Sequence, residues 1–296
     1  MLFAGILPAW TAPAAYRARA ALQSTLQRYY LGKHDTEAAA SAFVRGRAGV
    51  LRDHGISSSE IAKMEIMLPY AATTNTVPTL FWLITFIFSR PELVAALREE
   101  VRALATAAGE ADKDVTVDIA SVEARCPRLM SCYRETLRVT THQTSVRTVV
   151  RDTVLADGRG RSYLLKKGVD IHLSIATSHL TEEVWGEAAG EFDPERFLSG
   201  GAATGKTQRQ AYQPFGGGHH LCPGKSFAFV EIMAVVATLL LGYDVGTSDG
   251  RPWKVPQYAQ WSMVDSIHKP VDEGAGLGIK MVKKQGWERV RWRYTI

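Results

Sequence analysis

Cysteine is scarce in this chain of 296 residues. The three present, Cys126, Cys132 and Cys222, are too few and too unevenly placed for a disulfide framework, which points to a reducing compartment or a cytosolic face. Cys126, Cys132 and His142 lie near one another, but no paired C-x-x-C spacing supports a zinc site. The histidines at 172, 179 and 268 have no metal-ligand spacing either and read as strand, loop and surface residues. A basic face is also missing. The formal charge is +5, yet Lys283, Lys284, Arg289, Arg291 and Arg293 against Glu288 put +4 of it in one tail, which reads as a solvated strand end. That argues against a nucleic-acid partner. There is no internal repeat, and no basic n-region precedes the uncharged start Met1 to Tyr16, which Pro8 and Pro13 break, so it makes a poor signal peptide.

A composition of 46% hydrophobic and 22% charged residues is that of an ordinary globular protein, with length for two domains or one large helical one. Ala14 to Tyr30 and Thr36 to Arg52 read as surface helices joined at Leu31 to Asp35, the second ended by Gly55. A serine at 57, 58 or 59 then offers an N-cap for a long helix running to Ser89. Within it, Ile66 to Phe88 is uncharged for 23 residues, long enough to span a bilayer. Pro69, Pro78, Asn75 and the threonines at 73, 74, 76 and 79 favour a buried core helix instead. Arg90-Pro91 ends it, and helices follow over Glu92 to Thr106 and Pro127 to Val139. Val146 to Arg151, Thr153 to Ala156, Tyr163 to Leu165 and Val169 to Leu173 predict one small sheet. Residues 177 to 221 read as irregular, with a flexible Gly- and Ala-rich loop at Ser199 to Lys206. An apolar helix closes the pattern at Lys225 to Leu241.

The chemistry concentrates in Phe215-Gly-Gly-Gly218-His219-His220-Leu-Cys222-Pro223-Gly224. A glycine run lets the backbone turn tightly, and the cysteine immediately precedes a helix, with Pro223 suited to its first position. Unpaired N–H groups and the positive end of the helix dipole favour thiolate over thiol there. Such a sulfur serves as a nucleophile, a redox thiol or an axial metal ligand.

Phe215, Gly218, Cys222 and Gly224 reproduce the F-x-x-G-x-x-x-C-x-G pattern of cytochrome P450 haem-thiolate enzymes, and the chain resembles that superfamily. The resemblance implies a mainly α fold with a small β-sheet, of which 1–296 is one partial, C-terminal domain. Its parts are surface helices over 1–56, a long distal helix over 57–89, an E-x-x-R helix over 127–139, a small sheet over 146–173, a meander and haem-ligand loop over 192–224, and a proximal helix over 225–241. E-x-x-R occurs three times, at Glu99/Arg102, Glu135/Arg138 and Glu288/Arg291. Only Glu135/Arg138 precedes a sheet, then Pro194-Glu195-Arg196-Phe197, then the cysteine, in the family's order. By resemblance, Glu135, Arg138 and Arg196 form a charged structural triad, Cys222 ligates haem iron, and Arg147 and His220 face its propionates. Phe215, Gly218 and Gly224 complete the cofactor loop. His219 reads as solvent-facing.

The distal helix departs from the family's A-G-x-(D/E)-T-T motif, since Thr74 and Asn75 stand where the acid and threonine are usual. Asn75-Thr76-x-Pro78-x-x-Phe81-Trp82 is similar to the branch containing prostacyclin synthase and the sterol 7α- and 12α-hydroxylases. Asn75 and Thr76 are the candidate catalytic residues. The terminal Gly286-Trp287-Glu288 is similar to fungal-type members and implies secondary metabolism. Monooxygenation of a hydrophobic small molecule follows as the implied activity, with dioxygen and electrons from an NADPH-dependent reductase for which Lys225 and Arg209 are candidate contacts. The implied location is the cytosolic face of the endoplasmic reticulum membrane, with peripheral membrane contact. Isomerase or dehydratase chemistry on a peroxide stays open because of Thr74-Asn75, and a remnant without haem because the family's N-terminal half has no counterpart here.

Overall fold

The computed structural model describes residues 8–108, 114–158, 160–198, 205–251, 253–259, 266–271 and 278–296. Residues 1–7 of the uncharged start and 199–204 of the Gly- and Ala-rich loop lie outside the described residues. Two compact units divide the chain, Met1–Thr73 and Thr74–Ile296.

Prolines and caps set the helix boundaries of the first unit. Its helices are α1 (Pro8–Thr11), α2 (Pro13–Leu31), α3 (Ala42–Asp53), α4 (Ser58–Glu65) and α5 (Met67–Ala71). Ser41 caps α3 through its hydroxyl, and Ser57 and Glu60 form a reciprocal capping box at α4. Gly55, at φ 76°, turns the chain between them. Tyr30, Ala48, Ile61 and Ala62 form a small core. Arg52 grips the buried Asp35 with two hydrogen bonds of 2.6 and 3.0 Å and holds its carboxyl below the usual range.

The helix expected over 57–89 runs as one helical stretch, Ser58–Phe88, with two irregularities set by its prolines. Pro69 cannot bond the Glu65 carbonyl, so the hydrogen-bond ladder is interrupted at Ile66, between α4 and α5, while the backbone there stays helical at φ −61° and ψ −26°. Pro78 likewise has no N–H to give the Thr74 carbonyl, and Ala72–Thr76 winds as a π-helical turn before α6 (Val77–Phe88). The Thr79 hydroxyl donates to the Asn75 carbonyl at 2.8 Å.

In the second unit, α6 is followed by α7 (Pro91–Arg102), β1 (Ala105–Ala108), β2 (Asp114–Asp118), α8 (Val122–Arg125) and α9 (Pro127–Thr140). The helix expected to reach Thr106 stops at Arg102, because β1 pairs antiparallel with β2 (Ala105↔Val117), which buries Val117 fully. Cys126 precedes α9 and makes no side-chain cap; both Glu100 carboxylate oxygens, from α7, accept the Arg128 and Leu129 N–H groups at 3.0 Å. Next come β3 (Thr144–Thr148), β4 (Thr153–Ala156), β5 (Ser162–Leu165) and β6 (Asp170–Ser174). They form two separate antiparallel pairs, β3–β6 and β4–β5, and not the one sheet expected. The inner pair is a hairpin nested between the strands of the outer one.

The stretch expected to be irregular contains α10 (Ile175–Leu180), α11 (Glu182–Trp185) and α12 (Lys206–Ala211). Beyond it lie α13 (Lys225–Gly242), β7 (Tyr243–Thr247), β8 (Ile279–Lys283) and β9 (Arg291–Thr295). β7 pairs with β8, while β9 runs parallel to β2. Arg291 and Arg293 of the basic tail both donate to Asp114 at 2.9 Å, so part of that charge is neutralised within the sheet.

The core is built from α6, α7, α9 and α13, with Leu83, Ile87, Leu97, Leu129, Met233, Val236 and Leu240 fully buried. Residues 58–88 and Lys225–Gly242 are long and apolar enough to cross a membrane by length and composition, yet each gives part of its surface to these cores. Trp82, fully buried on α6, donates its indole N–H to the His268 carbonyl at 2.6 Å, and the His268 N–H bonds Thr140 at the end of α9. Trp82→Phe strands that carbonyl and is expected to lower unfolding free energy by about 2 kcal/mol, read as a shifted urea midpoint.

Candidate functional site

Only one cysteine is available for chemistry. Cys126 and Cys132 are fully buried, and burial pushes both thiols up to about 12. Cys222 is exposed. Its loop is closed by backbone bonds: the Cys222 N–H donates to the Phe215 carbonyl at 3.0 Å, and Leu221 to Gly218 at 3.2 Å. Gly216 and Gly218 supply φ of 71° and 63°, which side-chain-bearing residues rarely adopt. A Cβ on Gly217 or Gly218 would meet no atom within 4 Å, so that face of the loop is open. A Cβ on Gly224 would lie 3.7 Å from the Cys222 sulfur. α13 starts at Lys225 with Gly224 as its N-cap, so Pro223 lies outside the helix and Cys222 stands two residues before the cap. The dipole acts on the thiol from farther away than the sequence suggests.

The loop is held by what precedes it. Glu135 and Arg138, one turn apart on α9, are fully buried, and Arg196 is 4% exposed. The Glu135 carboxylate accepts from Arg138 Nε and Nη2 at 2.7 Å each, from Arg196 Nε at 2.9 Å and from the Asp193 N–H at 3.1 Å. Arg138 spends its other donors on the carbonyls of His179 and Ala189, both at 2.6 Å, and of Glu191 at 3.2 Å. Arg196 adds the Trp185 and Ala188 carbonyls at 2.9 and 3.1 Å. Two cations against one carboxylate leave a buried excess of positive charge. Five carbonyl dipoles from residues 179–191 solvate it, which explains how a segment rich in short turns is held in one shape.

His179, which the sequence suggests is a loop residue, is a fully buried part of α10. Its Nε2 accepts the Gln213 N–H at 3.0 Å, so the proton sits on Nδ1 and is donated to the Arg138 carbonyl at 3.1 Å. The Tyr212 hydroxyl donates to the Arg134 carbonyl on α9 at 3.1 Å. These two contacts tie the start of the cysteine loop to α9 and α10. They span 34 to 78 residues of sequence and follow no local pattern. Arg147 lies exposed on β3, its guanidinium folded back on Ser145 Oγ and the Val146 carbonyl, both at 2.8 Å. His219 and His220 are exposed in the 3-10 turn beside Cys222. Asn75 and Thr76 sit half-buried in the π turn, and Lys225 and Arg209 are exposed.

The sequence profile of the family Cytochrome P450 matches residues 14–266. The chain belongs to the cytochrome P450 family. It is 36% identical to a cytochrome P450 monooxygenase of Gibberella zeae over 99% of this chain and 57% of that protein. It is 29% identical to the 7-alpha-hydroxycholest-4-en-3-one 12-alpha-hydroxylase of Homo sapiens over 67% of this chain and 41% of that one. The fold matches a retinoic acid-bound cyanobacterial CYP120A1 at a TM-score of 0.70, with 22% identity, over 94% of this chain and 59% of that one. The chain thus spans about half the length of these P450 relatives.

P450 enzymes carry iron protoporphyrin IX with a cysteine thiolate ligand. The residues present fit that group. Among the described residues no cluster of three or more His, Cys, Asp or Glu could hold a bare metal ion. Haem brings four nitrogen donors of its own and asks the protein for an axial ligand, which one exposed thiol on a closed loop can supply. Leu221 and Phe227, apolar residues close to Cys222 in sequence, are 50% and 64% exposed, and a macrocycle would cover surface of that kind.

Burial holds the His179 imidazole down to about 4. The unfolded chain takes up this proton near pH 6.5, the folded protein only near pH 4. The stability due to neutral His179 is therefore complete above pH 6.5 and falls by about 1.4 kcal/mol per unit as pH drops, roughly 3 kcal/mol by pH 4. His268, lowered to about 4 by burial and by His142, adds a second such slope. Urea titrations from pH 7 to 4 are expected to show this decline, and His179→Gln to remove about half of it.

Proposed function

We propose that this chain is the haem-ligating part of one larger P450 domain, to which both units belong, and that the whole enzyme is a monooxygenase hydroxylating a hydrophobic small molecule. The observation that carries this reading is the exposed Cys222 on a loop closed by the Cys222–Phe215 and Leu221–Gly218 bonds, in a chain of this family. Cys222 Sγ would be the axial ligand, with Arg147 and His220 binding the propionates. Bound haem supplies activation of dioxygen, favoured by electron donation from the thiolate. Glu135, Arg138 and Arg196 hold the chain that carries Phe215 to Gly224. On the distal side, the Thr76 hydroxyl would pass a proton through water, and Asn75 would orient that water. Electrons would come from an NADPH-dependent reductase meeting Lys225 and Arg209. The cytosolic face of the endoplasmic reticulum membrane is the proposed location. Sterol-type names among the relatives support an apolar substrate and a membrane site.

A second reading is favoured by Thr74-Asn75, which puts a threonine in the place of the acid and an asparagine in the place of the threonine in the π turn. It is a haem-dependent isomerase or dehydratase acting on a peroxide, and turnover without NADPH or dioxygen distinguishes it. The first test is haem titration of the chain followed by reduction under carbon monoxide. Stoichiometric binding with the red-shifted Soret band of thiolate ligation is expected, and Cys222→Ala is expected to abolish that band. An unshifted band, or the same spectrum in Cys222→Ala, would sink the assignment of Cys222. A failure to bind haem at all would favour a non-catalytic remnant.

A further inference from the structure

A cavity of ≈ 460 Å³ opens beside the cysteine loop, between α9 and the first turns of α13. Its wall is largely apolar, with Met130, Leu137, Phe215, Phe229 and Val230 contributing. A volume in this range suits a small organic ligand, as does a mostly apolar wall with few polar groups. Glu123, Arg134 and Gln213 also line it, the first two as an ion pair at 2.9 Å, and two further polar features are left for a ligand. Tyr133 is 5% exposed, its ring packs edge-on against Phe229 at 5.6 Å, and its hydroxyl has no hydrogen-bond partner among the described residues. Buried hydroxyls are seldom left without a partner, because the lost hydration is costly. The second feature is the start of α13 at Lys225 and Ser226, whose N-cap, Gly224, has no side chain to cap the first-turn N–H groups. Lys225 is exposed and joins no ion pair among the described residues. The nearby Arg134, by contrast, is already paired with Glu123 at 2.9 Å.

An apolar body would lie against the wall, while the helix start and the lysine favour a negative head. A carboxylate oxygen can accept the Tyr133 hydroxyl proton. We infer that this cavity is a second ligand site, separate from any haem-bound substrate, and that it takes an amphiphilic carboxylate such as a medium-chain fatty acid. The site needs no haem, so it stands or falls independently of the function proposed above. It also shares Phe215, Gly216 and Leu221 with the cysteine loop, so its occupant would touch the loop directly.

Isothermal titration of the full chain with decanoate, and with decanol as the uncharged control, tests the inference. One saturable site is expected for decanoate, with decanol binding at least tenfold more weakly. Tyr133→Phe removes one charge-assisted hydrogen bond and is expected to weaken decanoate about tenfold, with Lys225→Glu weakening it by a similar factor. Val230→Trp, which fills the cavity, is expected to abolish binding while leaving the far-ultraviolet circular dichroism unchanged. Absence of saturable binding would overturn the proposal. So would decanoate affinity that is unchanged in both Tyr133→Phe and Val230→Trp, since the ligand would then occupy another surface.

Discussion

One carboxylate, Glu135, carries two buried guanidinium groups, and the order of the segment before Cys222 depends on it. The pair Glu135–Arg138 satisfies itself within one turn of α9, but Arg196 brings a second positive charge that a single carboxylate cannot neutralise. The excess draws in backbone carbonyls from Trp185, Ala188, Ala189 and Glu191, together with His179. A charge buried without such partners would cost several kcal/mol, so the turns of this segment are fixed by the need to solvate it.

From that anchor the geometry passes to the cysteine in steps. Phe197 donates its N–H to Ser131 on α9, Tyr212 bonds the Arg134 carbonyl, and Gln213 bonds the His179 ring. His179 is in turn oriented by the Arg138 carbonyl, so the same arginine acts at both ends of the segment. Phe215 packs against the main core and receives the Cys222 N–H. The thiol is thus exposed on a loop whose backbone has little freedom, an arrangement suited to presenting one axial ligand.

The sequence made legible what depends on local spacing. Ser57–Glu60, Gly55, Pro91 and the glycines at 216 and 218 carry their conformations in their own chemistry, and each acts within a few residues. The cysteine pattern and Glu135–Arg138 are of this kind. Other features were set by distant partners. The strand at Ala105 exists because Val117 pairs with it, and the two β-ladders between 144 and 174 are separated by register that alternation alone cannot fix. His179 offered no sequence signal, since its partners Arg138 and Gln213 lie 41 and 34 residues away. The π turn was legible in principle, because Pro78 had to disrupt the ladder at Thr74, but the long apolar pattern on either side masked it.

The central claim is that Glu135 orders the cysteine loop through the segment between them. Amide hydrogen exchange on Glu135→Gln measures this directly. The account predicts that protection of Cys222 and Gln213, whose N–H groups bond Phe215 and His179, drops sharply, while α13 from Met233 to Leu240 and α7 keep theirs. Unchanged protection at Cys222 and Gln213, with the substitution present and the protein folded, would contradict it.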